Sequence, residues 1–221
     1  MKVLALETAN EQCSVSVVDE TQELFFQLDT RAKAQTQTIL PMIEQAFAHV
    51  NIEPQALTAI AFSRGPGSFS GVRINAAVTQ ALAWSNDLPV IPVSTLQALA
   101  QAAYRLQGLT EVTAVLDARM QEVYVASYKL DEHNIMRAVD EEQLLSYEAA
   151  KEAIKFTLVG SGAHLIQIDA THYSDVIATA QDIATIARYA AQQQAWVSAE
   201  YALPVYLRDN AWKKISEQGK A

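Results

Sequence analysis

The sequence predicts an α/β protein made of two consecutive units that share one plan. An apolar strand ends at Glu7 near the start of the chain, and a similar strand ends at Asp117, about half the chain further on. Each of these strands is followed by two more strand patterns that are joined by short polar turns. Helical and strand periods then alternate in both halves, which is typical of α/β domains.

In the first half, three strands precede a helix, and helices and strands alternate afterwards. The first helix carries Ile39, Ile43, Phe47 and Val50 at helical spacing. The predicted strands are Val3–Leu6, Cys13–Val18, Glu23–Leu28, Thr58–Phe62 and Pro89–Val93, and the predicted helices cover 36–49, 68–85 and the residues after Val93.

The second half follows the same order. The buried side of its last helix is marked by Ile183, Ile186, Ala187 and Ala190. The predicted strands are Thr113–Leu116, Glu122–Tyr128, Ile135–Val139 and Phe156–Val159, and helices are predicted near 143–154, 163–168 and 182–196.

This order of elements defines the expected architecture. Three antiparallel strands followed by alternating helices and strands are the plan of the ribonuclease-H-like unit. Two such units in tandem make the actin-like ATPase architecture of actin and the sugar kinases. We therefore predict one ribonuclease-H-like subdomain over 1–107 and a second over 108–221, with the apolar tail 201–208 packing back on the first.

A loop with three glycines, Ser63–Arg73, joins a predicted strand to a predicted helix. Free backbone N–H groups and the positive end of a helix dipole hold anions at such places, and Ser68 suits the N-cap position. The spacing of Gly65, Gly67 and Gly71 matches neither the P-loop nor the dinucleotide fingerprint. A phosphate-binding loop and a tight turn without a ligand both remain open.

The two acids at the strand ends, Glu7 and Asp117, are candidates for part of a nucleotide site. In actin-like ATPases, acids at these places hold Mg²⁺ through water, and glycine turns after them admit phosphates. Here Thr8-Ala9-Asn10 and Ala118-Arg119-Met120 follow instead, so bulky side chains are expected to block a phosphate. We predict at most a vestigial nucleotide site, made of Gly65, Gly67, Ser68, Gly71, Glu7 and Asp117.

Cofactors and catalytic nucleophiles are not expected. The four histidines lack metal-binding spacing, and Cys13 and Ser161 have no organised histidine partner. The net charge of −9 disfavours a broad nucleic-acid surface. The single cysteine excludes an internal disulfide, and no apolar stretch is long enough for a membrane span or a signal peptide. These features predict a cytoplasmic protein without membrane contact.

Several motifs resemble those of the TsaB family, also called YeaZ, and the resemblance covers nearly the whole chain in order. The G-P-G-S-F-[ST]-G-[VL]-R and D-A-R-x-x-E-V-Y runs are specific to that family. The matching segments are Met1–Thr8, Ile39–Pro41, Ser63–Arg73, Pro92–Leu96, Leu116–Tyr124 and Pro204–Arg208.

The resemblance implies a subunit of the machinery that adds a threonylcarbamoyl group to the adenosine beside the anticodon of tRNAs reading A-starting codons. Such a subunit binds and activates its catalytic paralogue TsaD, is joined by the ATPase TsaE, and contacts tRNA only indirectly. TsaD carries two metal-binding histidines, and the equivalent positions here are Thr95 and Leu99. The resemblance therefore implies no transferase activity by this chain alone.

A surface for that partner is expected on helices 36–49 and 69–85. Both carry apolar residues beyond a single core stripe, and packing across subunits would form a helical bundle. The same surface predicts a homodimer when the partner is absent, although these residues could also serve only the internal core. The predicted interface residues are Ile39, Met42, Ile43, Phe47, Val72, Val78 and Leu82.

Two other functions remain open. The first is an enzyme that acts alone, as an ATPase, a kinase or a peptidase of the actin-like superfamily. The second is a direct tRNA binder, which the acidic composition disfavours.

Overall fold

The computed structural model describes residues 1–167 and 172–208. The tail beyond 208, which belongs to the predicted second subdomain, lies outside the described residues. The strands are β1 Lys2–Glu7, β2 Cys13–Asp19, β3 Glu23–Asp29, β4 Ala59–Gly65, β5 Val90–Ser94, β6 Glu111–Arg119, β7 Glu122–Leu130, β8 Met136–Ala138, β9 Gln143–Ser146, β10 Thr157–Val159 and β11 His172–Tyr173. The helices are α1 Gln35–Val50, α2 Phe69–Ser85, α3 Thr95–Gln107, α4 Tyr147–Glu152, α5 Ala163–Ile166 and α6 Ala180–Gln192.

The first sheet has five strands in the order β3-β2-β1-β4-β5. Leu4 of β1 lies opposite Val17 in the antiparallel neighbour β2 and opposite Ile60 in the parallel neighbour β4. Nearly every residue of β1 is buried, because α6 packs on one face of the sheet and α1 and α2 cover the other. The continuous apolar run at the start of the chain is therefore the centre of this sheet.

The second sheet repeats this plan in the order β11-β10-β6-β7-β8, with β9 also paired to β7. Its central strand β6 has an antiparallel neighbour, where Val115 lies opposite Val125, and a parallel neighbour, where Ala114 lies opposite Val159. The α/β class and the repeated plan predicted from the sequence are confirmed. In the part of the chain that the structure describes, no helix has the length and apolarity of a membrane span.

The helix predicted near 143–154 is wrong in its first turn. Residues 143–146 form β9, in which Leu144 lies opposite Tyr124 of β7. Sheet pairing replaces the helix here, and the helix begins only after Ser146, whose side chain accepts a hydrogen bond from the Ala149 N–H. Near 163–168, the described helix ends at Ile166, and residue 168 lies outside the described part.

The two halves exchange helices across the predicted boundary at 107. α3, from the first half, buries Leu96 and Leu99 in the core of the second sheet. α6, from the second half, buries Ile183 in the core of the first sheet. Arg105 of α3 donates two hydrogen bonds, of 2.8 and 2.9 Å, to the buried carboxylate of Asp182 in α6. The boundary separates the two sheets, whereas the hydrophobic packing runs across it.

Candidate functional site

The glycine loop packs directly against the end of β1. A Cβ atom on Gly71 would overlap the Thr8 carbonyl oxygen, and one on Gly67 would lie 2.5 Å from that of Ala9. The Ser68 N–H donates to the Ala9 carbonyl at 2.7 Å, and the Thr8 hydroxyl donates to the Gly71 carbonyl at 2.8 Å. Both glycines are thus needed for the close approach of two backbone segments.

Backbone N–H groups at the start of α2 are also hydrogen-bonded within the chain. The Ser68 side chain accepts a hydrogen bond from the Gly71 N–H at 3.3 Å, which confirms the predicted N-cap. Gly65 has φ of +103°, a left-handed conformation that glycine adopts without strain. The N–H groups of Ser68 and Gly71, which a phosphate would use, therefore have partners within the chain.

Glu7 is buried beneath this contact. One carboxylate oxygen accepts the Ala9 N–H at 2.5 Å, while Oε2 has no hydrogen-bond partner among the described residues. Burial raises the pKa of Glu7 to about 7, against the opposing effects of the Ala9 N–H and of the Ser63 side chain. The negative charge of Asp182 raises the pKa further. Glu7 therefore gains and loses its proton near neutral pH, well above the range that is usual for a glutamate.

Asn75 of α2 ties the helix to the strand ends around Glu7. Its side-chain amide donates to the Leu6 carbonyl at 3.1 Å and to the Ser63 carbonyl and hydroxyl at 3.2 and 2.7 Å. The side chains of Asn75 and Ser63 are both fully buried. This network fixes the start of α2 relative to β1 and β4.

Asp117 has a different environment from Glu7. It lines a cleft of about 1500 Å³ between the two halves, together with Gly67 and Ser68 of the loop. Its carboxylate accepts the Arg119 N–H and pairs with the Arg119 guanidinium, both at 2.8 Å. The structure therefore places Asp117 and the loop at the cleft, with the Glu7 carboxyl below its surface. A nucleotide role for the six residues of the predicted vestigial site stays a prediction.

Thr95 and Leu99, the first residues on one face of α3, also line this cleft. Both are almost completely buried, and the Thr95 hydroxyl has no hydrogen-bond partner among the described residues. A hydroxyl and an aliphatic side chain do not form a transition-metal site, which favours imidazole and thiolate ligands.

Four of the seven predicted interface residues do not lie at the surface, so the prediction is wrong for them. Ile39, Met42 and Ile43 of α1 are buried because this stripe packs on β2 and β3, and Val72 is buried where the start of α2 meets the glycine loop. The other three, Phe47, Val78 and Leu82, are half-buried against the same core.

The apolar surface of these helices lies on another stripe, which was not predicted from the sequence. Phe69 and Trp84 of α2 are 63% and 68% exposed, and Leu40 of α1 is 56% exposed. Ala77 and Ala81, one helical turn apart, are exposed between the two aromatic residues of α2. The helical spacing of these exposed residues of α2 is the feature of the sequence that could have indicated this stripe.

The close approach of Gly71 to Thr8 predicts a large cost for any side chain there. Gly71→Ala should lower the free energy of unfolding by about 3 kcal/mol, because its Cβ would overlap a backbone carbonyl that cannot move freely. Gly108→Ala is the matched control. Gly108 has φ of +69°, but a Cβ placed there would meet no other atom within 4 Å, so only about 1 kcal/mol of backbone strain is expected. Urea unfolding measures both, and equal losses would contradict the packing argument.

Burial of Glu7 predicts that stability falls as pH rises from about 4.5 to 7. Over this range the unfolded chain loses the proton while the folded protein keeps it, and the total loss is about 3 kcal/mol. Above pH 7 this contribution no longer changes. Urea unfolding between pH 4.5 and 8 should show the slope in the parent protein and a weaker slope in Glu7→Gln. The exposed Glu44→Gln is the control, and an unchanged slope in Glu7→Gln would refute this role of burial.

Comparison with known proteins gives one consistent result. Residues 29–202 match the family model described as "TsaD: tRNA N6-adenosine threonylcarbamoyltransferase". The tRNA threonylcarbamoyladenosine biosynthesis protein TsaB of Escherichia coli (strain K12) is 38% identical, over 97% of this chain and 98% of that protein. The TsaB protein of Haemophilus influenzae is 34% identical, over 97% of each chain.

A solved structure agrees with these relatives. YeaZ from Pseudomonas aeruginosa superposes with a TM-score of 0.83 at 35% identity, over 93% of this chain and 99% of that chain. The fold is thus the actin-like arrangement of two ribonuclease-H-like units that the sequence predicted. The chain belongs to the TsaB family of tRNA threonylcarbamoyladenosine biosynthesis proteins.

Proposed function

We propose that this chain is a non-catalytic subunit that binds and orders the transferase TsaD during threonylcarbamoyl transfer to tRNA. The observation that carries the proposal is the contact between the glycine loop and β1. The Ser68 N–H, which an anion would need, donates to the Ala9 carbonyl, and Gly71 leaves no space against Thr8. A loop engaged in this way supports a structural role rather than phosphate chemistry.

Two residues that line the cleft support the same proposal. Thr95 and Leu99 line the cleft, and neither side chain can replace an imidazole as a metal ligand. The family resemblance implies that these two positions carry metal-binding histidines in the catalytic paralogue. In our proposal the catalytic metal therefore belongs to TsaD, and this chain acts through a surface.

That surface is the exposed stripe of α2, defined by Phe69, Ala77, Ala81 and Trp84, together with Leu40 of α1. Beside Trp84 lies a shallow pocket of about 430 Å³, which Ala77, Ala81 and Glu200 also line. Small residues next to an exposed tryptophan let a second helix approach closely, and large aromatic side chains are common interface hot spots. We propose that TsaD packs a helix on this stripe.

The proposal also covers three other contacts, with a second copy of this chain, with TsaE and with tRNA. A second copy of this chain is proposed to use the same stripe with two-fold symmetry when TsaD is absent. The ATPase TsaE is proposed to join the assembled pair. Contact with tRNA is proposed to be indirect, because a net charge of −9 does not favour binding to phosphates.

Trp84→Glu tests the stripe. The change places a charge on a large exposed side chain of the proposed contact, and it should weaken association with TsaD at least thirtyfold, about 2 kcal/mol, without changing the fold. Leu106→Glu is the control, because Leu106 is similarly exposed but lies on α3. Titration calorimetry gives the affinities, and circular dichroism checks the fold. Full affinity in Trp84→Glu would contradict the proposed surface.

The cleft of about 1500 Å³ favours one rival function, an ATPase or kinase that acts alone. Under our proposal the purified chain does not hydrolyse ATP. Micromolar ATP binding by calorimetry, with turnover in a phosphate-release assay, would support the rival instead. Asp117→Asn separates true turnover from a contaminant, because Asp117 faces the cleft and its loss would abolish activity that belongs to this chain.

A further inference from the structure

The C-terminal segment 197–208 follows the first half of the molecule for most of its length. Val197 and Val90 exchange two backbone hydrogen bonds of 2.8 and 2.9 Å. Ala202 is buried in the hydrophobic core that packs against the first sheet, and the Val205 N–H donates to the Arg64 carbonyl at 2.8 Å. The segment therefore reaches the glycine loop attached to the first half by backbone hydrogen bonds and by the buried Ala202, while Leu203 and Tyr206 are at least half exposed.

Tyr206 then contacts the start of α2. The guanidinium carbon of Arg73 lies 4.8 Å from the centre of the Tyr206 ring and 3.5 Å from that of Phe69. Arg73 also donates to the Phe69 carbonyl at 2.6 Å. These cation–π contacts join the tail to the glycine-loop motif.

Arg208, two residues later, contacts the second half. Its guanidinium lies 2.6 Å from a Glu122 carboxylate oxygen and donates to the Ala118 carbonyl at 3.2 Å. It also lies 3.6 Å from the sulfur of Met120. The three contacts lie at the end of β6, on the turn that follows, and at the first residue of β7, so one side chain spans the β6–β7 connection from end to end.

That turn has an unusual backbone. Arg119, Met120 and Gln121 have φ of +63°, +55° and +61°, so three consecutive residues with side chains adopt the left-handed conformation. This conformation brings Cβ close to the carbonyl oxygen and is unfavourable for every residue except glycine. It persists only where surrounding contacts impose it. Asp117 supplies one such contact by accepting the Arg119 N–H.

We propose that the segment Pro204–Arg208 is a clasp that holds this left-handed turn in place and fastens it to the first half at the mouth of the cleft. The clasp gives a physical role to three motifs that are far apart in the sequence. The glycine loop provides Arg64 and Arg73, the tail provides Tyr206 and Arg208, and the β6–β7 turn receives the arginine. The proposal does not depend on the proposed function.

Arg208→Gln in the full-length protein tests the clasp by hydrogen–deuterium exchange. Loss of the charged contacts should speed exchange of amides 117–124 and of the Tyr147 N–H, which donates to the Gln121 carbonyl, about tenfold. Amides of Val3–Leu6 should keep their rates, because they report global unfolding. Arg31→Gln removes an exposed ion pair with Asp29 and should leave the turn unchanged.

A second variant tests whether the clasp offsets backbone strain. Met120→Gly, added to Arg208→Gln, should restore most of the lost protection, since glycine adopts positive φ without penalty. Unchanged exchange in Arg208→Gln, or acceleration that is equal throughout the protein, would overturn the proposal. Acceleration confined to the turn but not rescued by Met120→Gly would refute the strain argument.

Discussion

The contact between Gly71 and Thr8 is the constraint on which the rest of the site depends. Two backbone segments more than sixty residues apart in sequence meet so closely that no side chain fits between them. This approach lets the Ala9 carbonyl reach the Ser68 N–H and sets the direction in which α2 leaves the sheet. The same glycines that suggest phosphate binding in the sequence are thus explained by packing inside the chain.

The electrostatics of the site follow from this packing. Because the loop covers the end of β1, the Glu7 carboxyl is removed from water, and the hydrogen bonds it receives do not offset the cost of a buried charge. The corresponding acid of the second half, Asp117, faces the cleft and has an arginine beside it. Two acids at equivalent places in the repeat therefore have different environments. A turn containing Gly160 and Gly162 also packs against the end of β6 in the second half, but it leaves Asp117 at the cleft.

The repeated strands were predictable because their apolar runs are short, are bounded by polar turns, and occur in the same order twice. The faces of α1 and α2 were not predictable in the same way, since both helices carry apolar residues on more than one stripe. Ile43 and Trp84 look equally suited to a partner surface in the sequence, and only the position of the sheet shows that Ile43 is core. β9 was missed because Leu144-Leu145 fits a helix as well as a strand until β7 lies beside it.

The left-handed turn at Arg119–Gln121 shows a further limit of local sequence reasoning. Nothing in these three residues favours positive φ, and the contacts that impose it come from Asp117 and from Arg208 at the far end of the described chain. The exchange of α3 and α6 between the sheets follows the same logic, because each half is completed by elements of the other. A fold assembled in this way keeps its two halves in a fixed relation. Such a relation suits the partner-binding role that we propose, since less conformational freedom is lost when a rigid surface binds.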